Sequence, residues 1–464
     1  MAEQRTGRHT DQDTGQDTAG HVDGTALDEA VRFTSDLIRL DTTNRGGGDG
    51  VERPAAEYVA ERLAEAGLEP LLLEKAPGRT NVVARVTGSD PATDALLVHG
   101  HLDVVPADAS EWSVPPFSGE IRDGVVWGRG AVDMKDSDAM VLAVVRAWAR
   151  AGIRPRRDIV LAFTADEEDT ADYGSGFLVG EHRDLFDGCT QAIGESGAYT
   201  FHPGDGRRIY PVATGERGTA WLRLSAPGRA GHGSRVNREN AVTRLAAAVH
   251  RIGEHTWPPR LTATVRAALT ELAALYGVPL PDLDDDDPAV LAPALDGLVA
   301  AIGPAGSLVA PTLRNSANPT MLAAGYKVNV IPGSATAHVD GRVLPGWEDE
   351  FTATMDELTG PDVTWSYQHH EIPLEAPVDG PAFATLSEAL LHFDPGAHVI
   401  PYCMSGGTDA KQFSRLGVSG YGFMPLRMPE GFDYQAMFHG VDERVPVDAL
   451  HFGTRVLDRA LRAL

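Results

Sequence analysis

Residues 94–106 read DALLVHGHLDVVP, an apolar run that ends in two histidines and an aspartate. The run is short, rich in leucine and valine and bounded by turn residues, the pattern of a β-strand. Strand alternation places His99, His101 and Asp103 on one face, because every second side chain points the same way. Further runs of the same kind lie on both sides: NVVARVTG (81–88), GVVWGRG (124–130) and DIVLAFTA (158–165). Between and before them, ALDEAVRFTSDLIRL (26–40), PAAEYVAERLAEAG (54–67) and AMVLAVVRAWARAG (139–152) repeat apolar residues at helical spacing, with Pro54 suited to a first turn. The chain therefore opens as an α/β alternation.

The character changes at ATGERGTAWLRLSAPGRAGHGS (213–234), where an alternating strand leads into a glycine-rich turn and then a helix, NAVTRLAAAVHRIGEH (240–255). A second domain is expected here. It continues through the strand KVNVIPGSATAHVDGRVLPG (327–346), the helix DEFTATMDELTG (349–360) and the strand VTWSYQ (363–368). Helices and strands of the first type then return, closing with VDALHFGTRVLDRALRAL (447–464). The expected division is a polar, disordered tail over 1–24, a first domain over 25–215 and 373–464, and a second domain over 216–372. Within the second domain, 256–320 reads as an insertion whose helical pieces flank the acidic run PDLDDDDP (281–288). That run lacks the spaced ligands, central glycine and closing glutamate of a calcium loop and reads as a solvated turn.

Forty basic against sixty-six acidic residues give a formal charge of −26, which argues against nucleic acid as a partner. Two cysteines, Cys189 and Cys403, are too few for a disulfide framework. With no apolar core after the first basic residues and no stretch read as a membrane span, the expectation is a cytoplasmic protein without a membrane partner.

Residues of metal-binding type recur at ends of strands and in turns, where a rigid sheet can aim side chains at one point. His101 and Asp103 follow the opening strand, Asp133 lies in WGRGAVDMK (127–135), Glu167 and Glu168 close DIVLAFTADEE, Glu195 lies in IGESGA (193–198), and His439 lies in MFHGVDE (437–443). Asp136 or Ser137 is expected to cap the helix after Asp133, leaving Asp133 for another role. Adjacent carboxylates such as Glu167 and Glu168 repel unless a cation or a proton separates their roles. Ser196 does not belong to a serine-hydrolase elbow, since one residue is missing before the second glycine, and Cys403 has no evident histidine partner.

In this order the motifs resemble the M20 metallopeptidases, a family of glutamate carboxypeptidases, aminoacylases and related deacylases and desuccinylases. The resemblance spans about residues 26–464 and is weakest over 256–320. It implies a mixed-sheet, zinc-peptidase-like catalytic domain with an inserted α+β lid, and a homodimer formed through that lid. It also implies two Zn2+, replaceable by Co2+ or Mn2+, with His101 and Glu195 on one, Glu168 and His439 on the other, and Asp133 bridging. Glu167 becomes the general base, Asp103 orients His101, and the Asp133–Met134 peptide is expected to be cis. Two divalent cations, three ligand carboxylates and ionised Glu167 sum to zero charge, an electrically sensible set.

The resemblance extends to His232 in RAGHGSR (229–235), as an oxyanion donor often supplied by a partner subunit, although Gly233 stands where the family has serine. Asn329 and Arg342 match substrate-holding positions, Asp340 supports Arg342, and Gly406 and Gly407 offer backbone N–H groups to an anion, with Thr408 and Asp409 buttressing the turn. The expected substrate is a small peptide or N-acyl amino acid with a free carboxylate. The rivals are a metal-dependent aminopeptidase and a non-catalytic ligand-binding relative; the complete ligand set with Glu167 argues against the second, and Arg342 against the first.

Overall fold

The computed structural model describes residues 21–464, so the tail expected over 1–24 falls largely outside the described residues. Asp23 already caps the first helix, Gly24–Arg39, by accepting the Ala26 N–H. The strand Ala95–His101 lies inside a nine-stranded mixed sheet, parallel to Ile159–Thr164 on one side and Cys189–Gly194 on the other. Arg79–Val86 and Leu71–Ala76 extend one edge antiparallel. Ser419–Gly422, Ile209–Glu216, His398–Met404 and Leu374–Glu375 complete the other side.

Alternate side chains of the inner strands feed two apolar layers. Leu96 and Val98 face a cluster with the helices Gly24–Arg39, Arg53–Glu65, Lys135–Ala151 and Val447–Ala463, through Phe33, Leu37, Val59, Trp148 and Leu457. Leu97 faces Phe177, Leu178, Phe186 and Phe413 on the opposite side. Burial on both faces is why these strands read as continuous apolar runs. The large helix is fixed further by Trp148, whose indole N–H donates to Asp458 Oδ1 at 2.7 Å.

A second, four-stranded antiparallel sheet is ordered Ser316–Ala324, Ser334–Val343, Gly218–Pro227, Thr364–Glu371. Ala241–Glu254 and Glu348–Thr359 cover one face through Leu245, Ile252, Phe351 and Met355. Alternation in Gly218–Pro227 leaves Trp221 on the uncovered side, 47 % exposed. The stretch read as one alternating strand at 213–227 is two, with Arg217 between Ile209–Glu216 in the large sheet and Gly218–Pro227 in the small one. The chain returns between Glu371 and Leu374.

Three expectations are corrected. The insertion over 256–320 is expected in the lid, but its helices Ala263–Tyr276 and Pro288–Ile302 pack against Ile209, Ile400 and Cys403 of the large sheet. Pro288–Leu308 is, by length and composition, apolar enough to cross a membrane, with mean hydropathy 1.5, contrary to the reading that no stretch approached that limit. Its Leu291, Leu295, Leu298 and Ile302 are buried in the same cluster. Neither Asp136 nor Ser137 caps a helix: Lys135–Ala151 begins one residue earlier than Asp136, and both lie buried in its first turn.

Candidate active site

The residues singled out in the five motifs converge at one end of the large sheet. His101 ends its strand, Glu167 and Glu168 follow Ile159–Thr164, Glu195 follows Cys189–Gly194, and Asp133 lies in the turn before Lys135–Ala151. His439 arrives from the loop before the last helix, in a left-handed conformation with φ 56°. Asp133 stands between the two imidazoles, with Oδ1 3.1 Å from His101 Nε2 and Oδ2 3.3 Å from His439 Nε2. Glu195 Oε2 lies 3.7 Å and Glu167 Oε2 4.0 Å from His101 Nε2, while Glu168 Oε2 lies 3.1 Å from His439 Nε2. The Asp133–Met134 peptide is cis.

His99, the other histidine of the opening strand, shares a face with Leu97 and His101 but sits deeper. Its ring packs on Phe413 with centroids 5.1 Å apart, and Nε2 has no hydrogen-bond partner among the described residues. Burial, reinforced by His101, pushes its pKa down to about 3. A neutral ring facing apolar neighbours is a core residue, so the choice left open by strand alternation falls to His101.

The electrostatics of the cluster call for cations. Burial alone would strip a proton from His101, yet Glu195, Asp133 and Glu167 outweigh it and hold the imidazole well above its ordinary value. His439 is raised to about 10 by hydrogen bonds to Asp133 and Glu168. Burial pushes Glu195 up to about 7 and Glu167 well above the carboxylate range, with neighbouring carboxylates adding to both. Carboxylates this crowded ionise together only when positive charge is placed among them. Donor atoms of His101, Glu167 and Glu195 lie within 4.8 Å of one another, as do those of His101, Asp133 and Glu168. Oxygen and imidazole donors at this spacing suit divalent metals of the zinc type.

Behind these residues lies a further layer, of which the sequence had shown only Asp103. The Asp103 carboxylate accepts the backbone N–H groups of Glu167 and Glu168, each at 3.2 Å. Against His101 Nδ1 it is the Asp103 carbonyl, at 2.9 Å, that is nearest, whereas its carboxylate is 3.6 Å away. Asp103 thus holds the glutamate turn as well as the histidine. Asn44 Nδ2 donates to Asp103 Oδ2 at 2.9 Å and to Asp166 Oδ1 at 3.1 Å. Arg79 joins Asp166 to Glu52, both at 2.8 Å, with all three side chains buried. Below Asp133, Glu443 accepts the N–H groups of Gly130, Val132 and Asp133 and pairs with Arg129 at 2.7 Å. Lys135, fully buried, donates to the carbonyls of Leu37 and Leu40.

The small sheet brings a different group of residues forward. His232, on the two-residue strand Gly231–His232, is exposed, and its ring bonds to Ser234. Exposed Asn329 lies beside it, its carbonyl accepting the Gly233 N–H. Among the described residues, no hydrogen bond or ion pair joins either side chain to the acidic cluster. Arg342 is held by Asp340 at 2.8 Å, as expected, and its Nη1 donates to the Ser405 carbonyl at 3.3 Å, beside Gly406 and Gly407. Thr408 is tied to Glu216, and Asp409 accepts from Thr164 at 2.5 Å and from Ser175.

A carboxylate cluster between the buried imidazole of His101 and the exposed one of His439, at the strand ends of a mixed sheet with a smaller sheet inserted in the chain, defines a metal-dependent hydrolase. The chain belongs to peptidase family M20/M25/M40, whose family model matches residues 97–463. It is 30% identical over 381 residues to the N-fatty-acyl-amino acid synthase/hydrolase of Homo sapiens, covering 78% of this chain and 73% of that protein. It is 28% identical over 426 residues to aminoacylase-1 of Homo sapiens, covering 88% of this chain and 90% of that one. A solved M20 family metallo-carboxypeptidase from Sulfolobus solfataricus shares the fold, with TM-score 0.68 and 18% identity over 94% of this chain and 98% of that one.

Proposed function

We propose that this chain is a two-metal amidohydrolase acting on N-acyl amino acids, and that zinc is its metal. The observation that carries this reading is Asp133, with one oxygen toward each imidazole and Glu195 and Glu168 on opposite sides. His101 and Glu195 would hold one cation, His439 and Glu168 the other, and Asp133 both. When bound, the cations supply Lewis acidity for the scissile carbonyl and make water acidic enough to be deprotonated near neutral pH.

Glu167 stays outside that ligand set and acts as the general base. It takes a proton from the attacking water and returns it to the departing amine, so one carboxylate serves both halves of the reaction. The Asp103 carboxylate keeps Glu167 in place by fixing its backbone N–H. Arg342, its Nε and Nη2 held by Asp340, supplies positive charge beside the turn at Gly406 and Gly407, and together they receive the free carboxylate of the substrate. The names of both human relatives favour an acyl amino acid over a peptide.

His232 serves as the oxyanion donor, supplied by a second copy of the chain. Its exposure and its lack of contact with its own cluster support that arrangement. So does the open edge of Ser316–Ala324, where Met321 and Leu322 are exposed. A panel of N-acyl amino acids and dipeptides, assayed with and without chelator, tests the reading. Chelator-sensitive release of the amino acid supports it, and preferential cleavage of dipeptides would replace it with a peptidase.

A further inference from the structure

The turn Ser405–Asp409 links the strand His398–Met404 to the short helix Ala410–Ser414 of the large sheet, yet it is gripped at both places where the chain crosses between sheets. At the outgoing crossing, Glu216 accepts the Thr408 N–H at 3.0 Å and its hydroxyl at 2.7 Å. The next residue, Arg217, donates its backbone N–H to the Met404 carbonyl at 2.9 Å. Its Nη1 reaches the Pro311 carbonyl at 2.9 Å, which ties the end of the 256–320 insertion to the same place.

At the returning crossing, Glu371 ends its small-sheet strand and pairs with Lys411 Nζ at 2.9 Å, an ammonium that is 1% exposed. Gly407 lies against this pair. A Cβ there would collide with Lys411 Nζ and come 2.8 Å from Glu371 Oε2, so the pair and the turn are packed with no room between them. Arg342 touches the turn from the small sheet through the Ser405 carbonyl.

We propose that Glu216, Glu371 and Lys411 form a clamp that fixes the Ser405–Asp409 turn to both crossings and so positions the substrate-carboxylate seat opposite Arg342. This rests on the reading of Arg342 and Gly406–Gly407 as that seat. The three are positioning residues and touch no reacting atom. Glu216 and Glu371 stand where a strand of one sheet runs directly into a strand of the other, so rotation of one sheet against the other about these crossings moves the seat. A buried ammonium left without its carboxylate, or the reverse, is costly enough to displace a turn packed directly on it.

Lys411→Met and Lys411→Arg separate positioning from mere support. Two quantities are measured in the full chain: kcat/KM for an N-acyl amino acid and for its C-terminal primary amide, and hydrogen exchange at the amides of Gly407 and Thr408. With Lys411→Met, the preference for the free carboxylate falls at least tenfold and exchange at both amides accelerates at least tenfold; Lys411→Arg recovers most of each. An unchanged preference, or unchanged exchange, overturns the clamp. If the parent chain releases no amino acid from either compound, the acyl-amino-acid reading fails, and exchange still decides the clamp. Should Lys411→Met not fold, Thr408→Val removes one hydrogen bond to Glu216 and is read in the same way.

Discussion

Replacing Glu443 by glutamine tests whether the Asp133 turn is held from behind. The Glu443 carboxylate is fully buried and accepts four hydrogen bonds, from Gly130 N at 3.0 Å, Val132 N at 2.8 Å, Asp133 N at 3.2 Å and Arg129 Nη1 at 2.7 Å. Each oxygen takes two of them. Glutamine has nearly the same shape but one acceptor oxygen, so two of the donors must face an NH2 group. A hydrogen bond to a charged group contributes about 1.5–3 kcal/mol, and breaking a buried ion pair costs on the order of 3–5 kcal/mol. These losses overlap at Arg129, so the expected destabilisation is about 4 kcal/mol. Arg129 Nη2 also reaches the His439 carbonyl at 3.4 Å, so the change loosens the support of both Asp133 and His439.

Urea unfolding of the full chain, paired with Zn2+ affinity by chelator competition, measures both effects. Burial pushes Glu443 up to about 7, so the measurement belongs well above that pH, where the parent is ionised. The unfolding midpoint should drop, and zinc binding should weaken at least tenfold. A variant that matches the parent in midpoint and zinc affinity would refute the claim that Glu443 organises the turn.

Arg79→Met leaves buried Glu52 and Asp166 without their shared guanidinium and should cost on the order of 3–5 kcal/mol in chemical denaturation, with an unchanged midpoint counting against the network. Asn44→Ala, which removes the link between Asp103 and Asp166, should lower kcat by at least tenfold with a smaller change in KM; equal effects on both would point away from the Glu167 turn. Burial raises the Cys189 thiol to about 11 and the Cys403 thiol to about 12, so a disulfide reagent near neutral pH should label neither in the folded protein and both in denaturant. Gly174→Ala drives a Cβ into the Ala165 carbonyl beside the glutamate turn, and the variant should lose folded yield, read by soluble expression and near-UV circular dichroism.

What the sequence made legible was local. His101, Asp133, Glu167, Glu168, Glu195 and His439 each stand in a short motif with its own strand or turn pattern, and the structure brings them together. The layer behind them has no such pattern. Asn44 meets Asp166 across 122 positions and Arg129 meets Glu443 across 314, so nothing nearby in the chain marks either pairing. Alternation correctly put His99 and His101 on one face, but the choice between them depended on Phe413, which arrives from another segment. The crossing at Arg217 was hidden because Gly218–Pro227 follows Ile209–Glu216 after a single residue, with no turn to mark the change of sheet. The insertion was placed with the lid because it lies between lid strands in sequence. Its apolar faces instead cover the side chains of Ile209 and Ile400 on the large sheet.

The central claim is that Glu167 acts as a base beside a two-metal centre and is not itself required to hold the metals. Turnover of an N-acyl amino acid by Glu167→Gln, with zinc per chain measured on the same sample by mass spectrometry, tests it most directly. Parent and variant should each hold two zinc ions per chain, and kcat should be at least a thousandfold lower in the variant. A variant carrying two zinc ions and turning over at the parent rate would contradict it.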